Sequence, residues 1–243
     1  MKTKHILICM LCTFLIFPLA AQNKSQSYIA FSLGGSAPLG DFSKSDPGTF
    51  ENPNHTAGFA KTRFAAGFEG AYYFSPKIGL AGTLYFSDHG GFSKEDAAKL
   101  GDHYTDAFGV DESTVSTTSR YRTLNLMVGP QVSFPMKKIT IDVRALGGLL
   151  KSFSTPEMTV QLEDQSTFKQ LSSTASAFGW QVGAGFRYSL SNKLGFMFRA
   201  DYFNSDGVKI ENENRTNPAG RLVTIQPMSW LNGSVGLSLN LGK

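Results

Sequence analysis

The chain has 243 residues, a formal net charge of +4 and 41% hydrophobic residues. Its only cysteines, Cys9 and Cys12, lie close to the start. So weak a basic balance gives no argument for nucleic acid or an acidic substrate, and two cysteines placed there exclude a disulfide-built fold.

In chain order, Lys2 and Lys4 precede an apolar run over residues 6–17, and "PLAAQ" follows. A transmembrane helix needs about 20 such residues, so this run predicts a cleaved secretory signal over residues 1–21. Cleavage is expected after Ala21, with Ala20 the second option. It would remove both cysteines and two lysines, lowering the net charge from +4 to +2. Residues 22–243 fit one domain, and no later stretch is apolar enough for a transmembrane helix.

From residue 28 onward, apolar side chains recur at every second position, which predicts strands. The first run sets Ile29, Phe31 and Leu33 against Ala30, Ser32 and Gly34. The second sets Phe64, Ala66, Phe68, Tyr72 and Phe74 against Ala65, Gly67, Glu69, Ala71 and Tyr73, and the third carries Ile78, Leu80, Leu84 and Phe86. Leu124, Leu126, Val128, Val132 and Phe134 make the fourth, and Ile139, Ile141 and Val143 the fifth. The sixth, "SAFGWQVGAGFRYSLSN", places Phe178, Trp180, Val182, Ala184, Phe186, Tyr188 and Leu190 on one face and glycines with Arg187 on the other. Leu194, Phe196, Phe198 and Tyr202 form the seventh, and Leu231, Val235, Leu237, Leu239 and Leu241 the eighth. "KEDAAKL" is the one short helix candidate. "PEMTVQLEDQSTFKQLSS" predicts either a hairpin beyond the main sheet or two further strands, making ten.

The connections after runs two, four and six are tight ("SPK", "PMKK", "SNK"), whereas those after runs one, three, five and seven are long and polar. That asymmetry predicts an all-β, transmembrane, antiparallel up-and-down barrel of eight strands, with short periplasmic turns, long extracellular loops and both termini in the periplasm. In such a barrel the apolar face points to lipid, and the small and polar face lines the lumen.

Two spacings agree with a membrane. Phe64 and Phe74, like Phe178 and Tyr188, lie ten residues apart on one face. Ten residues rise about 33 Å along a strand; tilted by about 40°, they cover roughly the 25 Å between aromatic girdles. The charges inside the apolar runs, Glu69, Asp142, Arg144, Arg187, Arg199 and Asp201, all fall on the lumen face. Three acids and three bases there predict an ion-pair network rather than a conduction path.

On these features the mature chain resembles the small eight-stranded outer-membrane β-barrels of Gram-negative bacteria, the OmpA/OmpX-like and "porin family" barrels. The last strand is similar to that family's assembly signal at Ser234, Gly236, Leu239 and Leu241, although the chain ends "LNLGK" rather than on an aromatic. The resemblance implies an outer-membrane location and recognition by the barrel-assembly machinery. It also implies contact with outer-membrane lipid and lipopolysaccharide, and eight strands leave little room for a channel.

The expected function is structural or interactive, with an extracellular protein or surface partner met through the four long loops. Three rivals stand beside it: a narrow conduit for small polar solutes, a lipid-modifying enzyme, and an accessory barrel of a secretion or envelope-assembly system. The enzyme would centre on Ser87 and His89 at the outer rim of the third strand, where alternation lets them share a face that Asp88 does not. "GGLLKS" lacks the second glycine of a phosphate loop, and "VGAGFRYS" lacks the third glycine of a dinucleotide fingerprint. No cofactor or metal cluster is expected; His55, His89 and His103 all fall in predicted loops. "SDPG", "DESTVSTTS" and "NSDGVKIENENRTNPAG" are read as turn-rich loops.

Overall fold

The computed structural model describes residues 27–49, 51–52, 54–164, 166–213 and 220–242. The expected signal over residues 1–21 lies outside the described residues. Eight antiparallel strands close a barrel: β1 (Tyr28–Pro38), β2 (Arg63–Tyr73) and β3 (Ile78–Gly90) in its first half, then β5 (Tyr121–Met136), β6 (Ile139–Ser154), β9 (Ala175–Ser189), β10 (Leu194–Glu213) and β11 (Arg221–Asn240). Each pairs with the next, and β11 closes on β1 from Tyr28↔Asn240 to Pro38↔Trp230. The tight turns β2–β3, β5–β6 and β9–β10 share one end with Tyr28 and Asn240, here the turn end. The long connections gather at the other, the loop end.

Side chains alternate across the barrel wall as the pleat requires. Phe68 (62% exposed), Leu126 (59%) and Phe178 (63%) stand outward, while Tyr73, Met127 and Arg199 point into the bore and are buried. The apolar face is thus the outer one, the arrangement of a strand solvated by lipid. Among the described residues no helix is long and apolar enough to cross a membrane; the strands do the crossing.

Two loop expectations are corrected by the structure, and a third segment resolves to one of its two readings. "DESTVSTTS" contains β4 (Ser113–Thr118), because four of the five residues 114–118 are β-branched and the run finds a partner in the next loop. That partner is β7 (Glu157–Leu162), paired in turn with β8 (Thr167–Gln170) as a hairpin outside the barrel, so the barrel has eight strands and not ten. "NSDGVKIENENRTNPAG" is strand as far as Glu213: β10 and β11 run 20 residues each, past the ends of their other neighbours. Its Asn, Asp and Gly residues suggest turns, yet Val208 and Ile210 keep the alternation and are buried. A bulge between Ser205 and Val208 interrupts the β10–β11 register, and Gly207 at φ 117° supplies the backbone conformation it needs.

The helix candidate is also longer than its seed. Helix α1 (Lys94–Phe108) begins at Ser93, whose side chain accepts from Asp96 N–H while the Asp96 carboxylate accepts from Ser93 N–H. Gly109 ends it in the left-handed conformation. His103 therefore lies in a helix and His89 in β3, neither in a loop.

Candidate functional site

The six bore charges come together as one alternating chain. Arg144 grips Asp201 with two bonds, Nε to Oδ1 at 2.9 Å and Nη2 to Oδ2 at 2.7 Å, and its third nitrogen donates to Glu69. Arg199 follows, with Nε 3.2 Å from Glu69 Oε2 and Nη2 3.5 Å from Asp142 Oδ2. Arg187 ends the series on Asp142, Nε to Oδ2 at 2.8 Å and Nη2 to Oδ1 at 3.2 Å. Acid and base thus alternate from Asp201 to Arg187, and all six side chains are buried. Their formal charges cancel, which is the condition under which charges tolerate a dry interior.

Hydroxyls and rings add further contacts to these charges. Arg199 Nη2 donates to Tyr28 Oη at 2.9 Å, and the Arg187 guanidinium lies 3.9 Å from the centre of the Tyr28 ring. Tyr85 donates to Glu69 Oε1 at 3.1 Å, and Ser133 donates to Asp142. Gln131 Nε2 donates to Tyr73 Oη, which also meets Ser133 Oγ. The sequence pattern pointed to the charges but not to Gln131 or Tyr28, which carry no charge to stand out on an inner face.

The glycines of β9 make this packing physically feasible. A Cβ on Gly183 would fall 1.8 Å from Asp201 Oδ1, and one on Gly179 would fall 2.5 Å from Phe203 Cζ. The inner side chains of β10 lean over a trough that only hydrogen atoms line. An arginine shares a face with glycines because the neighbouring strand fills the space they leave.

Towards the loop end the filling changes from charge to rings. Phe203 stacks on Trp230 at 4.1 Å, and His89 lies 4.5 Å from the same indole. Phe42 enters from the first long loop on a 3-10 turn (Gly40–Ser43) and packs edge-on against Tyr121 at 5.0 Å and His89 at 5.2 Å. Ala60 N–H holds the Phe42 carbonyl at 3.1 Å. The lumen is therefore not lined by small and polar residues alone: its loop-end half is an aromatic stopper completed by a loop.

This also relocates the enzyme candidate. Ser87 and His89 do share a face, but it is the inner one, where both are 0% exposed beneath Phe42. No hydrogen bond joins them; His89 Nδ1 sits 3.4 Å from Ser36 Oγ. Asp88 points outward and pairs with Arg120 at 3.3 Å. Among the described residues no three His, Cys, Asp or Glu side chains converge as a metal site.

Above the barrel the loops build a platform. β4, β7 and β8 form a three-stranded sheet, and β8 joins β10 at Gln170↔Asn212. Helix α1 lies along β4, where Ser113 Oγ donates to Gly101 O at 2.7 Å, and Phe108 stacks on Phe168 at 5.2 Å. Lys61 ties the helix start to the barrel rim through Asp96 at 2.9 Å. Burial pushes the Asp96 carboxyl up, but its hydrogen bonds from Ser93 and Lys61 outweigh that and hold it below the ordinary carboxylate value.

Charge outside the bore is divided by end. The chain has 19 acids, and all but Glu69, Asp142 and Asp201 lie at the loop end. The described turn end carries Lys77, Lys137, Lys138 and Lys193 and no acid. Of the aromatic positions, Phe64 and Phe178 stand outward near the loop end, Phe74 and Tyr188 near the turn end. On β11, Ser234 faces the bore and Leu239 faces outward, and Leu241 continues that outward face just past the strand end.

Fold and bore together define a transmembrane β-barrel with lipid outside, a filled lumen and an ordered loop crown. The chain matches the family described as outer membrane protein beta-barrel domain over residues 6–220, and it belongs to that family. Its place is the outer membrane. Among solved structures it is similar to Neisserial surface protein A, at 9% identity and TM-score 0.43, over 88% of this chain and 96% of that one. It is similar to the attachment invasion locus protein Ail of Yersinia pestis at 12% identity and TM-score 0.41, over 88% and 98%. For OprG of Pseudomonas aeruginosa the values are 14% and 0.40, over 89% and 98%. No curated protein matches the chain.

Proposed function

We propose that this barrel is a closed membrane anchor whose work is done outside, by the loop platform meeting an extracellular protein or surface. The turn end and both termini lie in the periplasm, and the loop end faces out among lipopolysaccharide. The six-charge chain holds the strands in register, Phe64, Phe74, Phe178 and Tyr188 mark the two bilayer edges, and β11 carries the segment that the assembly machinery reads.

One observation carries the reading. The loops spend a 15-residue helix and three strands on ordered structure that spanning a bilayer does not require, while the bore beneath is filled at both levels. An ordered surface above a closed bore suits recognition better than passage.

The test has two arms. In planar bilayers the folded protein is expected to give no stepwise conductance; steps that change on neutralising Arg144 or Arg199 would overturn the closed bore. On intact cells, a cysteine placed at Thr114 is expected to react with a membrane-impermeant maleimide. Protection there, with labelling only after lysis, would overturn the surface orientation.

A further inference from the structure

The loop platform ends in an unpaired sheet edge. Leu162 N–H bonds across to Ser166 in the β7–β8 hairpin, so by antiparallel alternation Gln161, Thr159 and Glu157 turn their backbone groups to β4. Their partners Thr114, Ser116 and Thr118 face β7. The N–H and C=O groups of Val115 and Thr117 therefore face away, and among the described residues they meet no backbone partner. An open edge of β-branched residues is what natural sheets usually blunt with lysine, proline or a bulge; β4 has none of these.

Helix α1 meets that edge at its start, where Ser113 Oγ donates to Gly101 O at 2.7 Å, and leaves Val115 and Thr117 without a backbone partner. Between them runs an open groove of about 560 Å³. The helix wall of the groove is the stripe Lys94, Ala97, Ala98, Gly101, Asp102 and Thr105, spaced as one face of a helix and low in relief at its centre. At the far end, Asp102, Asp111 and Glu112 gather against the single base Lys94. A trough with a hydrogen-bonding edge on one side and a small-residue helix face on the other is the geometry of strand addition.

We propose that this groove binds an extended peptide segment bearing lysine or arginine side chains, added as a strand to β4. Val115 and Thr117 supply backbone pairing, Ala97 and Ala98 leave room for the peptide's inward side chains, and the acidic end attracts its cations. A second copy of this chain fits less well, because it would bring the same acids against one another. The inference rests on the surface reading above, since the groove must be reachable from outside.

The experiment uses the full chain, folded in detergent and checked by heat-modifiable migration. The probe is a fluorescent decapeptide alternating lysine and valine, read by anisotropy. Saturable binding is expected, weakened about tenfold or more when alternate peptide nitrogens are methylated in the pairing register. Val115→Pro removes one outward N–H at a position where an edge tolerates proline, and it should cause a similar loss. Ala98→Phe fills the groove from the helix side and is the second blocking variant. Asp102→Asn with Glu112→Gln should weaken the lysine peptide several-fold, and a glutamate–valine peptide should not bind.

Equal binding by the methylated peptide, or by folded Val115→Pro and Ala98→Phe, would overturn strand addition. A dimer that Val115→Pro dissolves would assign the edge to a second copy instead. Maleimide labelling at position 114 on intact cells separates the two failures. A groove that labels but binds nothing sinks this inference alone, and a groove that never labels sinks the surface reading beneath it.

Discussion

Towards the turn end, the bore is filled by six charged side chains that neutralise one another; at the loop end it is filled by Trp230, Phe203, Tyr121 and His89, with Phe42 lent by a loop. The first filling is all-or-nothing, because removing one member strands a partner in a medium that cannot solvate it. The second is graded, because a missing ring leaves only lost contacts and a void. Two seals in one barrel therefore differ less in tightness than in how they fail.

The largest effect should follow Arg144→Ala, which strands Asp201 and leaves Glu69 with Arg199 alone as its base. We expect a loss of about 3–5 kcal/mol, measured as the urea midpoint of the folded barrel in lipid vesicles. Replacing the end pair together, Arg144→Met with Asp201→Asn, removes one charge of each sign, leaves Glu69, Arg199, Asp142 and Arg187 balanced, and should restore most of that loss; no recovery would show that the charges contribute more than mutual compensation.

Phe42→Ala should cost about 3 kcal/mol, and the loss should fall on the docking of the first loop rather than on the barrel. Limited proteolysis within residues 44–57 is expected to accelerate while the heat-modifiable shift is unchanged. Planar bilayers should stay silent, since the charge seal remains; conductance from this single change would break the contrast between the seals. On the lipid side, Leu126→Arg should cost about 2–4 kcal/mol in vesicle-based unfolding, although an arginine is tolerated one wall away.

The smallest effect lies outside the membrane. Asp96→Asn should weaken α1 by about 1 kcal/mol through its cap, read by amide exchange over residues 94–100. Because the folded Asp96 carboxyl titrates below its ordinary value, its contribution is complete above that ordinary value. It should fade as pH falls through the lowered one, and protection of α1 that is constant down to pH of about 2 would contradict the pairing.

Much of the barrel was legible because lipid on one side and a filled bore on the other impose a strict period of two. Phe178 through Tyr188 can be read in no other phase. The bore charges stood out against that alternation, so Arg144 and Asp201 could be placed before their geometry was known. Trp230 and Phe42 could not. One lies just before its apolar run, and the other reaches the bore from a loop whose path depends on distant contacts. The third platform strand was hidden for the same reason: the β7–β8 hairpin was one of two readings of its segment, but β4 finds its partner 39 residues away, from Thr118 to Glu157, and is too short to stand out alone. Only the capping pair Ser93 and Asp96, with Gly109 beyond, marked the extent of α1 locally.

The bulge at Gly207 turns one strand into two strands of opposite sense. Before it, β10 presents Phe196 and Phe198 outward and keeps Arg199 and Asp201 within; after it, Val208 and Ile210 are the buried ones and Lys209 and Glu211 stand outside. Phe196, Phe198, Val208 and Ile210 all hold even positions, so the extra residue alone reverses which side of the wall those positions meet. Ser205, at its edge, donates to the Phe178 carbonyl at 2.8 Å, level with the outermost exposed ring of β9. Within β10 the waterline is written into the backbone: before Gly207 the strand is folded for oil, after it for water.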